Sequence, residues 1–247
     1  MDCRIFPHLL ADGPANMARD EAMLDAVADD PSCALLRTYG WTVPTLSLGY
    51  FQSIAEAEAD PRWRDTPIVR RPTGGGAIWH HHELTYALVV PGTYPLSRPA
   101  AALYHAVHDA IGALLRSQGV EAVSRGPVRG PRTATRPFLC FHDRDPEDLV
   151  AGDSKIVGGA QRRRAGAILQ HGSLLLKRDA ATPDLPGAAD LAPVSADPRV
   201  WSDRLVACLP RSLGLIAAVE DFPDHLMRQA AILERQVYRN PDWTRRR

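Results

Sequence analysis

Apolar and polar residues alternate along this chain with two periods, and each period predicts a different kind of element. The first half shows mostly the two-residue period of strands, together with β-branched and aromatic residues. Predicted strands therefore lie at 33–39, 45–50, 67–71, 77–81 and 84–90. Helical spacing is clearest over 99–118, where Leu103, Val107 and Ile111 share one face and Gly119 follows the last turn.

The remaining elements follow from the same signals. Asn16 is a suitable cap for a helix that runs to about residue 30 and buries Met17, Leu24 and Val27. Further predictions are a short helix at 54–60, a strand at 120–124, a loop at 125–137, a brief strand at 138–142, a turn at 146–152, a hairpin of strands 155–161 and 167–176, a surface connection at 182–198, and helices near 201–213 and 223–238. A chain of 247 residues with this pattern commonly forms one domain.

Composition and charge narrow the classes of partner. Lys plus Arg number 29, as do Asp plus Glu, and this balance gives no general reason to expect nucleic acid or an anionic membrane. The basic runs at 162–164 and 245–247 are expected to be a solvated turn and a solvated tail. No apolar run approaches the roughly 20 residues of a membrane helix, and residues 1–12 lack a secretory pattern. We therefore expect a cytoplasmic protein, monomeric by default, with free thiols on its four cysteines.

The first candidate for chemistry is the stretch Arg70-Arg71-Pro72-Thr73-Gly74-Gly75-Gly76-Ala77-Ile78-Trp79-His80. Glycines leave the backbone bare, so that a ligand can lie against it and successive N–H groups can converge on an oxygen. A lone run of three glycines more often forms a tight β-turn, but the flanking arginines and histidine favour a binding loop. The candidate substrate-binding residues are Arg71, Gly74, Gly75, Gly76, Ala77, Ile78, Trp79 and His80.

Three consecutive histidines, His80-His81-His82, raise the question of a metal site. On a strand, His80 and His82 would share one face while His81 points to the other. We see no carboxylate or cysteine placed to complete a ligand set. We therefore predict no metal.

Cys140 and Lys155 form the second candidate. Cys140 stands in the apolar run Phe138-Leu139-Cys140-Phe141, and Lys155 opens the run Lys155-Ile156-Val157-Gly158-Gly159. An apolar setting alone leaves a thiol inert, whereas a nearby ammonium favours the thiolate and makes it nucleophilic. Two strands of one sheet could bring these side chains together. The alternative is a small core cysteine and an ordinary exposed lysine.

Two more residues of this region are substrate-binding candidates. Gly158 again offers bare backbone, and His171 lies across the predicted hairpin in Gln170-His171-Gly172-Ser173. The alternative for His171 is a structural histidine whose ring is satisfied within a strand.

These motifs occur in the order found in a known family. The matching pieces are residues 16–22, 44–52, 70–80, 155–163 and 170–176, and together they extend over about 14–178. The sequence resembles the lipoate-protein ligase A / octanoyltransferase superfamily, which shares its fold with the biotin-protein ligases. The pair Cys140-Phe141 ahead of the Lys-x-x-Gly motif is most similar to the cysteine-dependent octanoyltransferases.

The resemblance implies an α/β (α+β) fold of the biotin/lipoyl protein ligase type, a mixed β-sheet flanked by helices. It implies a single catalytic domain over 1–247, with C-terminal helices from about residue 199. A medium-chain acyl group would lie in an apolar tunnel, with its reactive end between the glycine loop and Lys155. Arg71 and residues 74–79 take the place of the family's arginine and glycine loop. The family's His-Asp pair appears here as His80-His81, so the aspartate is absent at position 81.

The resemblance also implies two alternative reactions. Cysteine-dependent octanoyltransferases take octanoate from acyl carrier protein as an enzyme thioester. They pass it to a lysine of a lipoyl-domain protein, either glycine cleavage H protein or a 2-oxoacid dehydrogenase E2. Cys140 would then be the nucleophile and Lys155 its activator, and no cofactor is needed because thioester exchange is nearly isoenergetic.

An ATP-dependent lipoate–protein ligase would instead use ATP and Mg, with Cys140 in a structural role. Amidotransfer between two lipoyl domains stays open, because it would use the same thioester chemistry. A non-catalytic acyl- or biotin-binding regulator on the same scaffold also stays open.

Overall fold

Two β-sheets organise the computed structural model, which describes residues 1–126, 136–143, 145–164 and 166–247. The strands are β1 Asp2–Ala11, β2 Cys33–Trp41, β3 Thr45–Leu48, β4 Ile68–Arg70, β5 Ile78–His80, β6 Glu83–Pro91, β7 Ala122–Ser124, β8 Leu149–Ala151, β9 Ser154–Arg164, β10 Ala167–Leu175 and β11 Ile216–Val219. The helices are α1 Gly13–Asp29, α2 Ile54–Ala59, α3 Ala102–Ser117, α4 Ala188–Leu191, α5 Pro198–Ser212, α6 Asp224–Leu233 and α7 Pro241–Thr244. Short 3₁₀ turns lie at Pro61–Trp63, Pro95–Ser97 and Cys140–His142, and a π turn at Glu234–Tyr238 continues α6. None of the helices described here has both the length and the apolar character needed to cross a bilayer.

The larger sheet has the strand order β11-β1-β2-β6-β10-β9-β8-β7. Its β11-β1-β2 pairs are parallel and its other pairs are antiparallel, so the sheet is mixed. Every residue of the central strands β6 and β10 is buried. Helices α1 and α6 pack on one face of this sheet, and α3 and α5 pack on the other. The predicted mixed sheet flanked by helices is therefore confirmed.

The smaller sheet, in the order β4-β3-β5, carries the glycine loop. Strand β3 is parallel to β4 and antiparallel to β5, so the loop joins the two edge strands. Leu48 and Trp63 belong to the core of this sheet, and so does Leu139, the residue before Cys140. The small sheet therefore places the glycine loop beside the Cys140 segment.

Helix α1 begins earlier than predicted. Its cap is Asp12, whose Oδ1 accepts the Ala15 N–H at 3.1 Å. Asn16 is fully buried inside the helix, and its Nδ2 donates to the carbonyl oxygens of Ala11 and Gly40 at 3.1 and 3.0 Å. The side chain of Asn16 therefore ties α1 to β1 and β2 and does not cap the helix.

Two strands lie where the sequence predicts no element. Strand β1 contains Pro7 and lacks clean alternation, and β11 is exposed along its whole length. Neither strand therefore shows the period of a half-buried strand. Their parallel pairing joins residues at opposite ends of the chain, which local patterning cannot show.

Predictions around the candidate nucleophile need correction. Residues 138–142 do not form a strand, because Leu139 makes only an isolated bridge to Ala77 and Cys140–His142 is a 3₁₀ turn. The predicted turn at 146–152 contains β8, whose apolar Leu-Val-Ala run pairs between β7 and β9. The predicted loop at 125–137 falls largely on 127–135, outside the described residues. The predicted turn at 162–164 is the end of β9.

Candidate active site

Cys140 and Lys155 are in contact. Lys155 Nζ lies 3.6 Å from Cys140 Sγ and donates a hydrogen bond to the Cys140 carbonyl oxygen at 3.0 Å. Cys140 is half-buried, whereas Lys155 is 4% exposed. The expectation that two strands of one sheet supply these residues is wrong, because Cys140 begins a 3₁₀ turn while Lys155 lies in β9. The sulfur is therefore beside a buried cation without being sealed in the core.

The glycine loop holds the backbone of the Cys140 segment. Cys140 N–H donates to the Ala77 carbonyl at 2.7 Å, and Ala77 N–H donates to the Phe138 carbonyl at 2.8 Å. A Cβ at Gly76 would lie 2.9 Å from the nitrogen of Cys140 and 3.0 Å from its Cα. Only glycine therefore lets the loop approach the Cys140 segment this closely.

Lys155 reaches the sulfur by passing over a second glycine. A Cβ at Gly158 would lie 2.7 Å from Lys155 Cε and 3.2 Å from Nζ, so any side chain there would displace the ammonium. The ammonium also contacts Asp148, whose Oδ1 lies 2.8 Å from Nζ. Asp148 directly precedes β8, is 1% exposed, and its Oδ2 accepts the Asp145 N–H at 2.8 Å. Cys140, Lys155 and Asp148 thus form one cluster.

The charge of Lys155 is stabilised by its contacts with Cys140 and Asp148. Burial lowers the pKa of Lys155, but the Cys140 sulfur and the Asp148 carboxylate outweigh it, so the pKa lies above its usual value. Burial raises the pKa of Asp148, and Lys155 offsets part of this rise. The raised pKa of Lys155 and the 2.8 Å contact between its Nζ and Asp148 Oδ1 are those of an ion pair.

Arg71 supports the glycine loop. Its guanidinium donates to the carbonyl oxygens of Ser47, Gly74 and Gly76 at 2.8, 3.2 and 2.8 Å, and to the Ser47 hydroxyl at 2.7 Å. Gly75 has a φ of 92°, a conformation that L side chains rarely adopt. Burial lowers the pKa of Arg71, and the Cys140 sulfur opposes this effect. The buried Arg71 Nε has no hydrogen-bond partner among the described residues, so one donor is left for a ligand.

His80 has an acidic partner that the sequence does not reveal. Its Nδ1 contacts a Glu83 carboxylate oxygen, and its Nε2 lies 2.6 Å from the Ser47 hydroxyl. Burial lowers the pKa of His80, and Glu83 offsets only part of this effect. Burial raises the pKa of Glu83, but His80 and Thr85 together hold it below its usual value. His80 thus has its acidic partner three residues further along the chain.

His171 belongs to a second pair of this kind. Its Nδ1 lies 2.8 Å from Asp20 Oδ2, and its Nε2 lies 2.6 Å from the Thr73 hydroxyl of the glycine loop. Burial raises the pKa of Asp20, but the charges of Arg37 and His171 outweigh it and lower the pKa overall. Two buried carboxylate–histidine pairs therefore hold the glycine loop, one through Ser47 and Arg71 and the other through Thr73.

A small pocket that opens to solvent lies beside Cys140. It is lined by Met17, Tyr39, Trp41, Arg71, Gly74, Gly75, Ile78, His80, Thr85, Cys140, Gly159, Ala160, His171, Gly172 and Ser173. The Trp41 and His80 rings stack at 3.9 Å between centroids. The lining combines apolar side chains with the sulfur and bare backbone, which suits an acyl chain with one reactive end.

The structure divides the predicted substrate-binding residues into three groups. Arg71, Gly74, Gly75, Ile78, His80 and His171 line the cavity beside Cys140. Gly76 and Gly158 lack a side chain where one would collide with Cys140 and Lys155, respectively. Ala77 and Trp79 line an adjacent small pocket with Leu139 and Phe141, and the Trp79 ring lies 5.3 Å from the Trp63 ring. Ala77 and Trp79 therefore face away from the Cys140 cavity.

The base of the glycine loop is joined to the end of the chain. Arg70 donates to the carbonyl oxygens of Thr244 and Gly49 at 2.6 and 2.9 Å, and the Trp243 indole N–H donates to the Arg70 carbonyl at 3.0 Å. The Trp243 ring lies 5.8 Å from the Tyr50 ring. Helix α7 is thus packed against the loop region.

Arginines surround Tyr50 beside the same loop. The guanidinium carbons of Arg246 and Arg162 lie 4.5 and 5.7 Å from the Tyr50 ring centroid. Arg247 lies 5.3 Å from the Phe51 ring, which is 69% exposed. Arg162 also donates to the Pro72 carbonyl at 2.7 Å. We call Tyr50, Phe51, Arg162, Arg246 and Arg247 the arginine rim.

Comparison with known proteins agrees with this architecture. The family model described as the lipoyl protein ligase A/B catalytic domain matches residues 12–224. This chain belongs to that family. The matched region contains both carboxylate–histidine pairs, the glycine loop, Cys140 and Lys155.

Curated relatives of this lipoyl protein ligase family member include octanoyltransferases. Octanoyltransferase LipM of Symbiobacterium thermophilum is 41% identical over 172 residues, which are 68% of this chain and 62% of that protein. Octanoyltransferase LipM of Carboxydothermus hydrogenoformans is 36% identical over 180 residues, which are 71% of this chain and 65% of that protein. The chain therefore spans less than two thirds of the length of these relatives.

Solved structures share the fold of this family member. Protein Ta0514 of T. acidophilum, solved with bound lipoic acid, superposes with a TM-score of 0.81 at 22% identity over 100% of both chains. A lipoate-protein ligase A bound with ATP superposes with a TM-score of 0.79 at 22% identity over 99% of each chain. At this identity the likeness shows the fold alone.

The histidine run does find a carboxylate, which the sequence argument did not foresee. His81 Nδ1 lies 2.5 Å from Asp179 Oδ2 and His82 Nε2 lies 3.6 Å from the same oxygen, while the two rings stack at 3.8 Å. Asp179 follows β10, far along the chain, so local sequence could not reveal it. The ligand atoms of these three side chains lie within 4.8 Å of one another and could hold a metal ion. His80 points elsewhere, into the Cys140 cavity.

Sequence reasoning missed the acidic members of this family member's site. Asp20 lies three residues after Met17 and four before Leu24, on the buried stripe of α1, and a carboxylate there was a usable signal. Glu83 opens the buried strand β6, where a charge is equally unexpected. Asp148 had no such signal, because it precedes a strand that was not predicted.

Proposed function

We propose that this chain is an octanoyltransferase that carries an octanoyl group as a thioester on Cys140. The donor would be octanoyl-acyl carrier protein, and the acceptor the lysine of a lipoyl domain in glycine cleavage H protein or a 2-oxoacid dehydrogenase E2. The observation that carries the proposal is the Lys155 ammonium 3.6 Å from a half-buried Cys140 sulfur at the edge of a cavity. The relatives called octanoyltransferase LipM support the choice of acyl group.

The first step is thioester exchange. The Cys140 thiolate attacks the carbonyl carbon of the donor thioester, a new C–S bond forms, and the old C–S bond breaks to release the carrier thiolate. The ammonium of Lys155 stabilises the attacking sulfur. It also donates a hydrogen bond to the Cys140 carbonyl oxygen beside that sulfur. The step exchanges one thioester for another and needs no nucleotide, so we propose that no cofactor takes part.

The second step forms the amide. The neutral amine of the acceptor lysine attacks the Cys140 thioester, a C–N bond forms, and the C–S bond breaks to return the Cys140 thiolate. The proton released by the amine passes to solvent. The step is downhill because an amide is more stable than a thioester.

The cavity lining gives other residues defined roles. The octanoyl chain would lie among Met17, Ile78 and Trp41. The unpaired Nε of Arg71 would donate to an oxygen of the acyl group or its carrier. His80 and His171 act through the glycine loop, because the contacts of their rings go to loop-supporting hydroxyls.

The proposal is tested by intact mass in the absence of ATP. Incubation with octanoyl-acyl carrier protein is expected to add one octanoyl group, removable by neutral hydroxylamine, which cleaves thioesters. Cys140→Ala is expected to abolish the adduct. Cys208→Ala is the matched control, since Cys208 is also half-buried but lies on α5. An adduct that persists in Cys140→Ala would exclude the proposed nucleophile.

The acceptor is tested next. The octanoyl-enzyme, freed of donor, is mixed with a lipoyl-domain protein, and the octanoyl group is expected to move to the acceptor lysine. A protein that acquires no adduct from the carrier, but consumes ATP and releases pyrophosphate with octanoate, is a ligase instead. Such a result would restore the alternative with ATP and Mg.

A further inference from the structure

The contact between Lys155 and Cys140 allows a side reaction once the sulfur is acylated, namely attack of the Lys155 amine on the thioester. Nζ lies 3.6 Å from Sγ, and the acyl carbon of a thioester is one bond from that sulfur. A neutral amine held this close to a thioester attacks it, because proximity replaces a bimolecular step with an intramolecular one. The product would be an amide on Lys155, which the enzyme could not pass on.

Acylation also removes one of the charges that keep Lys155 protonated. The thiolate attracts the ammonium, but the sulfur of a thioester carries no charge. Among the described residues, the carboxylate that contacts Nζ is that of Asp148, at 2.8 Å. The other contacts of Nζ are the Cys140 carbonyl at 3.0 Å and the Phe141 ring, whose centroid is 5.4 Å away.

We propose that Asp148 keeps Lys155 as an ammonium during the acyl-enzyme stage and so prevents migration of the acyl group from Cys140 to Lys155. This inference rests on the Cys140 thioester of the proposed function. Asp148 is a positioning residue in this role, because it acts on Lys155 and does not touch the acyl group. The ammonium has no free electron pair with which to attack, yet it remains a donor to oxygen.

The fold holds Asp148 firmly in this position. Its side chain is 1% exposed on the residue before β8, and β8 pairs with the start of β9, where Val150 lies opposite Lys155. Oδ1 faces Nζ, and Oδ2 accepts the Asp145 N–H at 2.8 Å. Both carboxylate oxygens are therefore engaged, and the ion pair is shielded from water. A shielded pair is costly to break by removing one partner.

The migration balances without any added reagent. In a variant without the carboxylate, neutral Lys155 attacks the thioester carbonyl carbon. The C–N bond forms and the C–S bond breaks, and the departing sulfur takes the proton that the nitrogen loses. The product is an octanoyl amide on Lys155 with a free thiol on Cys140.

The test compares wild type with Asp148→Asn after octanoyl-acyl carrier protein treatment. In wild type the adduct is expected on Cys140 and is removed by neutral hydroxylamine. In Asp148→Asn we expect the adduct to become hydroxylamine-resistant with time and to map to Lys155 by peptide mass spectrometry. Each unit by which the pKa of Lys155 falls raises its neutral fraction about tenfold, so resistant adduct should form at least about tenfold faster.

Three further variants isolate the charge. Asp145→Asn is the matched control, because Asp145 is exposed and its side chain accepts only a backbone N–H of Glu147 in the described structure. It removes a negative charge near the site and should keep the adduct labile. Asp148→Glu restores a carboxylate and should suppress the resistant adduct. Asp148→Asn combined with Lys155→Arg should form none, since its amine is gone.

Every outcome decides the question. A labile Cys140 adduct that stays labile in folded Asp148→Asn overturns the inference and leaves the octanoyltransferase proposal intact. If folded Asp148→Asn takes up no acyl group, the carboxylate serves the first step, which also overturns a protective role. Should Asp148→Asn fail to fold, Asp148→Ser gives the same comparison, because its hydroxyl can accept the Asp145 N–H. Absence of any wild-type thioester would refute the proposed function instead.

Discussion

The Lys155 ammonium has three acceptors around it, and together they define its chemistry. They are the sulfur and the carbonyl oxygen of Cys140 and the carboxylate of Asp148. An amine so placed stays charged while it is buried, which an isolated lysine would not do. In the proposed transfer, its charge would be available wherever negative charge develops on sulfur or oxygen.

Removal of this charge should slow the first step. We expect Lys155→Met to lower the single-turnover rate of Cys140 acylation by about 100-fold or more, a range typical for loss of a positioned charge. Rapid quench and intact mass measure the rate. Lys177→Met, at an exposed lysine after β10, is the control and should acylate at the wild-type rate. Similar rates in the two variants would contradict the assigned role.

Buried His108 makes the stability of the fold depend on pH. It lies on α3 at 2% exposure, and its Nε2 has no partner among the described residues. Burial lowers its pKa from 6.5 to about 4. Between these values the unfolded chain binds a proton that the native ring does not, so stability falls as the pH falls.

We expect this histidine to contribute about 2 kcal/mol to the loss of stability between pH 7 and pH 5. Urea unfolding of wild type and His108→Gln at both pH values measures it. The variant should lose less stability than wild type over the same interval. Equal losses would show that the native ring titrates as it does in the unfolded chain.

At the scale of elements, the sequence predicts the helices and strands that have a clear hydrophobic period and misses those that do not. The strands around the glycine loop, the β9–β10 hairpin and α3 have clear periods, and each is found near its predicted position. The Cys140 segment reads as a strand because it is apolar, yet its hydrogen bonds go to a single residue of the loop, Ala77. Local apolarity cannot separate a strand from a short turn pinned in a core.

The predicted site was incomplete for a related reason. Cys140, Lys155, the glycine loop and both histidines were found because they lie in recognisable motifs. Their acidic partners come from separate elements, such as Asp20 on α1, 151 positions from His171. Pairings at this range are set by tertiary structure. The catalytic and substrate-binding roles of all these residues stay predictions until they are measured.

The Lys155 side chain passes over Gly158 within β9, and a substitution at Gly158 tests whether this contact positions the lysine. Gly158→Ala places a methyl group 2.7 Å from Lys155 Cε, so the lysine must move away from Cys140. We expect acylation to fall at least about tenfold, because a misplaced charge stabilises the transition state poorly. The measurement is the single-turnover rate with octanoyl-acyl carrier protein.

Gly119→Ala provides the contrasting substitution. Gly119 ends α3 with a φ of 85° and has open space around it, so alanine there strains only the backbone. It should cost about 1 kcal/mol of stability and leave acylation unchanged. Loss of stability without loss of rate in Gly158→Ala would show that the contact between Lys155 and Gly158 does not position the lysine.

At the scale of the whole molecule, zero net charge conceals a local imbalance. The run at 245–247 is exposed, as expected for a solvated tail, whereas the run at 162–164 ends β9 and is not a turn. Arg162 and Arg246 belong to the arginine rim, where they flank Tyr50 next to the glycine loop. An exposed aromatic ring, Phe51, lies within the same surface. We expect such a surface to steer a partner with an acidic face toward the cavity.

We expect Arg246→Glu combined with Arg247→Glu to raise the KM for octanoyl-acyl carrier protein about tenfold at low salt, with kcat little changed. The difference should shrink at high ionic strength because salt screens exposed charges. Arg228→Glu combined with Arg235→Glu, on and just after α6, is the control with the same change in charge. A salt-independent difference would contradict electrostatic steering.

The joint between Arg70 and Trp243 gives this protein a built-in optical probe. The indole N–H donates to the residue that begins the glycine loop, and the ring neighbours Tyr50. Indole emission shifts with polarity and hydrogen bonding, so Trp243 fluorescence reports on the loop without an added dye. Replacing the other four tryptophans with phenylalanine would isolate this signal and let loop rearrangement be timed against acyl loading in a stopped-flow instrument.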